Sequence, residues 1–274
     1  MARAAGTADD LGQRKELILD WLERDGRVQV AQLAESCAVS EVTIRKDLQE
    51  LESLSLLKRV HGGAIVAKRS KYNLSLGDKI GRLSASKLAI ATAALAYIRD
   101  GDTLILDAGS TTLALARLLR GRLRGLTIVT NSLPVIAELS HGGDFELISL
   151  GGVVREHSLA MIGPLTVAGL SRLHADIAFL GATGLTLERG VCTPNIIEAE
   201  TKAAMVEAAT ERIALVDHSK IGQASLAPFA SLAKLHRLVT DRPLPNGYSE
   251  HCQEIGLAVD VADRSLDTDV TLPK

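Results

Sequence analysis

Ser40-Glu41-Val42-Thr43-Ile44-Arg45-Lys46-Asp47-Leu48 decides how the first part of this chain folds. Ser40 is suited to cap a helix, and Glu41 places an acid in its first turn. Ile44, Leu48 and then Leu51 recur at the spacing of one buried helical face. Toward the N-terminus, Leu17, Ile18, Trp21 and Leu22 form another apolar face, which Gly26 ends. Residues 30–37, with Leu33 and Ala34 inward, predict a short helix between these two. Toward the C-terminus, residues 56–60 and 64–67 are β-prone runs around His61-Gly62-Gly63, the pattern of a hairpin with glycine at its tip. Three short helices and a hairpin predict a winged helix-turn-helix over residues 12–68, preceded by a flexible lead.

Such a fold lays its recognition helix in the DNA major groove. The exposed face of the third helix offers Glu41, Thr43, Arg45 and Lys46. Arg45 suits either a guanine edge or a phosphate. Lys58, Arg59, Lys68, Arg69 and Lys71 fall between residues 55 and 77 with no acid among them, whereas residues 1–54 carry more acids than bases. The positive field is therefore local to the wing and its exit, where it would hold phosphates. A small helical docking domain with solvated charges would share the same periodicity.

The 274 residues suffice for two domains, and 46% apolar with 23% charged residues is an ordinary globular balance. A net charge of −2 excludes a uniformly basic coat. The longest nearly apolar stretch, residues 88–98, falls short of the roughly 20 needed to span a bilayer and predicts a buried helix. No secretory signal precedes Leu11, and Cys37, Cys192 and Cys252 are too scattered for a disulfide framework or a metal cluster. A cytoplasmic, metal-free chain without a cofactor or membrane partner is expected. Residues 69–83 are polar and aperiodic, and predict a linker. Beyond them, apolar runs at 103–106, 126–130, 145–150, 176–181, 213–217, 235–240 and 257–261 alternate with helical segments, including 112–119, 134–140 and 197–209. This predicts a Rossmann-like, mostly parallel α/β domain over residues 84–262.

Asp107-Ala108-Gly109-Ser110-Thr111-Thr112 stands where a strand gives way to a helix, a junction that presents free N–H groups and a positive dipole end to an anion. Gly109 permits close approach, and the three hydroxyls add donors that suit a phosphate. A tight turn with Thr112 merely capping its helix is the competing explanation. Thr130-Asn131-Ser132, Gly151-Gly152 and Gly181-Ala182-Thr183-Gly184 also follow strands and can converge on the same crevice. Glu198, Glu200 and Lys202 lie on the next helix, with Glu198 and Lys202 four apart, which equally fits a surface pair. In Asp217-His218-Ser219-Lys220, Lys220 can bring charge to an anion, and His218 reads as a polar loop residue.

Arg14, Ile18 and Leu22, then Ser40 to Leu48, then Arg59-Val60-His61-Gly62-Gly63-Ala64 resemble the DNA-binding signature of the DeoR family of bacterial transcription regulators. Ser55 stands where that family usually has glycine. The resemblance implies DNA contacts by Ser40, Glu41, Thr43, Arg45, Lys46, Lys58, Arg59 and His61. Residues 84 to about 262 resemble the family's sensor domain, itself similar to ribose-5-phosphate isomerase and glucosamine-6-phosphate deaminase. It implies a phosphorylated-sugar effector at Asp107, Gly109, Ser110, Thr111, Thr112, Asn131, Gly181, Gly184, Glu200, Lys202 and Lys220. It also implies a homo-oligomeric repressor of carbohydrate-metabolism genes that acts on operator DNA at the nucleoid. The alternative is an isomerase- or deaminase-like enzyme. The resembling isomerases carry acids in the loop that corresponds to residues 181–185, where this chain has Gly-Ala-Thr-Gly-Leu, so no catalytic set is expected.

Overall fold

The computed structural model describes residues 8–53, 57–66 and 74–263. They divide into two compact units, Met1–Leu74 and Ser75–Lys274. In the first, α1 (Ala8–Asp25) leads through β1 (Arg27–Gln29) to α2 (Val30–Ser36) and α3 (Glu41–Ser53), then to the hairpin β2 (Leu57–Val60) and β3 (Gly63–Val66). Ile18 and Leu22 of α1, Leu33 of α2, and Ile44, Leu48 and Leu51 of α3 close on one core with Leu57 and Ala64 of the hairpin. This is the winged helix-turn-helix that the apolar spacing predicts. α1 begins at Ala8, inside the expected flexible lead.

The wing gains a strand that the sequence does not announce, for β1 pairs with β3 in the order β1-β3-β2. Gly63 lies opposite Gln29, and a Cβ there would fall 2.0 Å from the Val28 carbonyl oxygen. Only glycine permits that approach. Ser55, Lys68, Arg69 and Lys71 lie outside the described residues.

The second unit opens with α4 (Leu76–Gly81) and α5 (Ser84–Ala94). β4 (Thr103–Leu106), α6 (Ser110–Leu119), β5 (Leu126–Thr130), α7 (Leu133–Leu139) and β6 (Phe145–Ser149) follow. A small hairpin, β7 (Val153–Arg155) and β8 (Ala160–Ile162), precedes α8 (Pro164–Leu170) and β9 (Ala175–Gly181). Then come β10 (Gly184–Thr186), β11 (Gly190–Thr193), α9 (Ile196–Glu207), β12 (Ala209–Leu215) and β13 (Ala227–Ala230). β14 (Arg237–Thr240), α10 (Tyr248–Glu254) and β15 (Ala258–Val261) complete the unit. Residues 76–81, expected within the linker, are thus helical. Ser75 accepts from the Asp78 amide while Asp78 accepts from the Ser75 amide, a capping box that starts α4 where periodicity is too short to show it.

Seven parallel strands form the main sheet, in the order β15-β14-β12-β9-β4-β5-β6. They coincide with the seven apolar runs of the sequence. Leu104, Leu106, Ile177, Phe179, Ile213 and Leu215 pack under α5, α6 and α7 on one face. Ile105, Ala178, Leu180 and Ala214 pack on the other, with residues of α8, α9 and α10 and of the small sheet β10-β11-β13. Burial on both faces explains why these strands read as continuous apolar runs. From β4 the chain winds outward to β5 and β6, and later outward the other way through β9, β12, β14 and β15. The winding reverses between β4 and β9, and ligands of open α/β sheets bind beyond the carboxyl ends of strands at such a point.

Candidate DNA-binding and effector sites

In the first unit, Glu41, Arg45 and Lys46 are exposed on α3, as are Lys58 and Arg59 on β2 and His61 at the wing turn. Ser40 is also exposed, but its hydroxyl is engaged locally: it lies 2.9 Å from the Thr43 hydroxyl and accepts from the Thr43 amide at 3.2 Å, capping the helix. Thr43 is half-buried. Arg45 Nη2 pairs with Glu41 at 2.5 Å one turn away, in an exposed contact. Val42, 72% exposed on the same helix, leaves an apolar side chain at the surface beside these charges.

Two contacts fix the reading elements in place. Arg14 reaches from α1 to Asp47 of α3 with a fork, Nε to Oδ2 at 2.6 Å and Nη2 to Oδ1 at 3.1 Å. The Arg59 amide donates to Glu52 at 2.8 Å, which ties the wing to the end of α3.

In the second unit, Asp107 follows β4 at the reversal of winding. It is buried, and its Oδ2 accepts from the Gly181 amide at 2.9 Å and from the Lys202 ammonium. Lys202 also donates to the Gly181 carbonyl at 3.1 Å and lies over the Phe229 ring. The ends of β4 and β9 and the helix α9 are thereby joined. Burial pushes the Asp107 carboxyl above the usual range, and the Lys202 charge opposes that rise. Oδ1 of Asp107 has no hydrogen-bond partner among the described residues.

Gly109 caps α6, whose first backbone bond runs from the Leu113 amide to the Gly109 carbonyl at 3.0 Å. The amides of Ser110, Thr111 and Thr112 accordingly point beyond the helix without a partner among the described residues. The Thr112 hydroxyl, expected to face the ligand, instead donates to the carbonyls of Asp107 at 2.6 Å and Gly109 at 3.0 Å, so Thr112 shapes the turn. Asn131 is buried at the end of β5, its Nδ2 on the Met161 carbonyl at 3.0 Å and its Oδ1 without a partner among the described residues.

Glu198 and Lys202 share the inward face of α9, but they serve different partners. Glu198 accepts from Thr193 at 2.7 Å and pairs with Arg155 at 3.3 Å. Glu200, expected at the site, is exposed, because it lies more than half a helical turn from that face. At Gly184 a Cβ would lie 2.1 Å from the Gln223 carbonyl oxygen, so close backbone packing requires glycine there.

Beyond β12, Asp217 accepts from the Ser219 amide at 3.0 Å, and Lys220 stands 4.0 Å from its carboxylate. Burial alone would raise Asp217, but the charges of Lys220 and Lys87 hold it below its ordinary value. His218 Nδ1 lies 2.8 Å from Asp241. Although burial opposes it, the hydrogen bond and charge of His218 draw Asp241 down to about 2.

Lys79 of α4 joins this charged set, with Glu198, Lys220, Lys202 and Arg155 as its electrostatic neighbours. The only sequence signal for it is the Ser75-to-Asp78 capping pattern. Among the described residues, no cluster of His, Cys, Asp or Glu is placed to hold a metal ion, and no helix is long and apolar enough to cross a membrane.

The sequence model for the DeoR-like helix-turn-helix domain matches residues 14–70, and that for the DeoR C-terminal sensor domain matches residues 83–242. The HTH-type transcriptional regulator GolR of Listeria innocua is 34% identical over 92% of this chain and 98% of its own length. The HTH-type transcriptional repressor GlcR of Bacillus subtilis is 33% identical over 85% and 89%, and the L-fucose operon activator of Haemophilus influenzae 32% over 89% and 97%. Among solved structures, a D-ribose-5-phosphate isomerase in complex with phospho-erythronic acid aligns at 22% identity with a TM-score of 0.37, over 49% of this chain and 52% of that one. These relatives are named as regulators, and the two sequence models fall on the two structural units. The chain belongs to the DeoR family of DNA-binding transcriptional regulators.

Proposed function

We propose that this regulator represses carbohydrate-metabolism genes and that a phosphorylated sugar, bound in the second unit, changes its grip on operator DNA. One observation carries the ligand class. At the reversal of winding, the partnerless amides of Ser110, Thr111 and Thr112 share a strand end with Asp107, which is bonded to Lys202. A phosphoryl group fits the amides and the positive helix end, and sugar hydroxyls fit the partnerless oxygen of Asp107. GlcR and the L-fucose operon activator carry names that connect the family to repression and to sugar operons.

Homo-oligomerisation goes with this proposal, because one small head rarely supplies enough affinity and a two-fold protein matches a palindromic operator. The effector must bind the DNA-competent and DNA-incompetent states unequally to act at all. Thermal shift across a panel of phosphorylated and free sugars, followed by operator anisotropy with each hit, tests the proposal. A phosphorylated sugar should raise the melting temperature and alter operator affinity, with its unphosphorylated counterpart far weaker. Equal effects of the two would refute the phosphate assignment.

A further inference from the structure

The hairpin of β7 and β8 is a two-stranded sheet of its own, and only one of its edges is covered. Ala160 of β8 bridges to Ser132, and Met161 bonds to Asn131 in both directions. The Met161 amide donates to the Asn131 carbonyl at 2.7 Å, and its carbonyl accepts from Asn131 Nδ2 at 3.0 Å. Met161 therefore turns its backbone groups away from β7. Val154, opposite it, turns its own amide and carbonyl away from β8, because antiparallel pairs alternate between bonded and unbonded. β7 thus ends the sheet with an open edge, and no strand lies beside it among the described residues.

Native proteins guard such edges with charge or proline. This one carries Val153, 71% exposed, and Val154, 47% exposed. Leu159 at the hairpin turn, Leu165 in the first turn of α8, and Ile196 and Ile197 in the first turn of α9 are exposed too. They share one surface. Thr166 donates to the Gly151 carbonyl at 2.6 Å, which joins α8 to the start of β7, and the Gly163 amide donates to Thr201 at 3.3 Å, which joins α8 to α9. No Asp, Glu, Lys or Arg occurs in residues 147–154, 158–171 or 190–197. Arg155, the one charge within β7, is turned in to Glu198 at 3.3 Å. The six apolar side chains expose on the order of 500 Å², against roughly 800 Å² that each partner gives to a stable interface.

We infer that this face binds a second copy of the chain, β7 against β7 about a two-fold axis through Val154. The inference rests on the homo-oligomer proposed above and gives it a place. Without charge, the face offers nothing to nucleic acid or to an acidic ligand. An open edge is satisfied by another strand. The same edge of a second copy supplies one in an isologous contact, each Val154 amide bonding the other copy's Val154 carbonyl. The exposed leucines and isoleucines of both copies then flank the joined strands.

Sedimentation equilibrium of the full-length chain tests this. The wild type should be an oligomer at micromolar concentration. Val153→Asp and Leu165→Glu should each halve the assembly mass, with the dissociation constant raised about thirtyfold or more. Val261→Asp, which changes an exposed apolar residue of β15, should leave the mass alone. Under a mild oxidant, Val154→Cys should give a reducible dimer on a denaturing gel, while the wild type and Val261→Cys do not. Bonded antiparallel partners stand about 5.5 Å apart between Cα atoms, within disulfide reach. An oligomeric wild type whose mass survives both Val153→Asp and Leu165→Glu, or no cross-link from Val154→Cys, would overturn the placement and leave the proposed oligomer standing. A monomeric wild type would overturn both. If a charged variant loses its far-ultraviolet spectrum, the Val154→Cys cross-link decides.

Discussion

Replacing Arg14 with methionine tests what holds the recognition helix in place. The guanidinium of Arg14 grips both oxygens of Asp47, whose side chain is only 2% exposed, and the Arg14 side chain is itself only 13% exposed. Methionine keeps much of the aliphatic bulk and deletes the fork, leaving a carboxylate inside a small core. Removing one partner of a buried pair costs about 3–5 kcal/mol. The slight exposure of Arg14 lets water reach the vacated position, so the lower end, about 3 kcal/mol, is expected. At about 0.05–0.15 kcal/mol per residue, a unit of this size has on the order of 4–11 kcal/mol of stability in total. The substitution should remove roughly a quarter or more of it.

Trp21 is the only tryptophan of the chain, and it packs against the core of this same unit. Its fluorescence therefore reports urea unfolding of the DNA-binding unit without the other. Arg14→Met should shift the Trp21 midpoint at constant slope, while the circular-dichroism transition of the sensor unit stays put. Adding Asp47→Leu should recover much of the loss, because the stranded charge is then gone. A shift worth less than about 1 kcal/mol, or a double variant as unstable as the sum of the singles, would refute the pair as the lock on α3.

Arg45→Ala should cost about 1–3 kcal/mol of specific operator affinity by anisotropy, with little change in stability because its pair with Glu41 is exposed; unchanged binding would remove α3 from the groove. Lys58→Ala and Arg59→Ala should each weaken binding across all sequences and flatten the salt slope by about one. Thr111→Asp puts a carboxylate at the start of α6, where the helix tolerates negative charge but a phosphoryl group would be repelled. It should keep operator binding and lose the response to phosphorylated sugars in calorimetry, with Lys220→Ala a milder version. Asp241, drawn down to about 2, contributes stability that is present above its ordinary 3.8 and lost as pH falls through 2. Asp241→Asn should therefore cost roughly 2 kcal/mol at neutral pH, and the gap from the wild type should close in melts taken between pH 4 and 2.

The parallel sheet is legible in the sequence because each strand buries both faces. Leu104 and Leu106 meet one helical layer and Ile105 the other, so no polar alternation interrupts the run. Short antiparallel pieces escape the same reading. β1, β7, β8 and β10 are three residues each, too few for a period to register. α4 escapes because its glycines imitate a linker, although its capping residues are plain in retrospect. Spacing alone points to Glu198 and Lys202 as sharing a face, whereas family resemblance favours Glu200; the structure sides with the spacing. The Arg14–Asp47 fork spans 33 residues of sequence, and no local pattern can pair them.

An open α/β sheet with a charged crevice serves catalysis as readily as sensing, so the side chains must separate the two. Proton transfer next to a carbonyl needs a carboxylate or imidazole able to reach the substrate proton and take it up. The crevice carboxylates have other commitments. Asp107 Oδ2 is held by Lys202 and Gly181, and Glu198 is held by Thr193 and Arg155. Asp217 is capped by Ser219 and kept ionised by Lys220 and Lys87, while Asp241 holds His218. Residues 181–185 add no acid. What the described residues leave unengaged is of another kind: acceptor oxygens on Asp107 and Asn131, and donors at the α6 amides. Acceptors without protons to offer and amide donors at the positive end of a helix suit a ligand of hydroxyls and negative charge. Such a ligand is the class proposed above for the sensor unit, whose relatives are named as regulators.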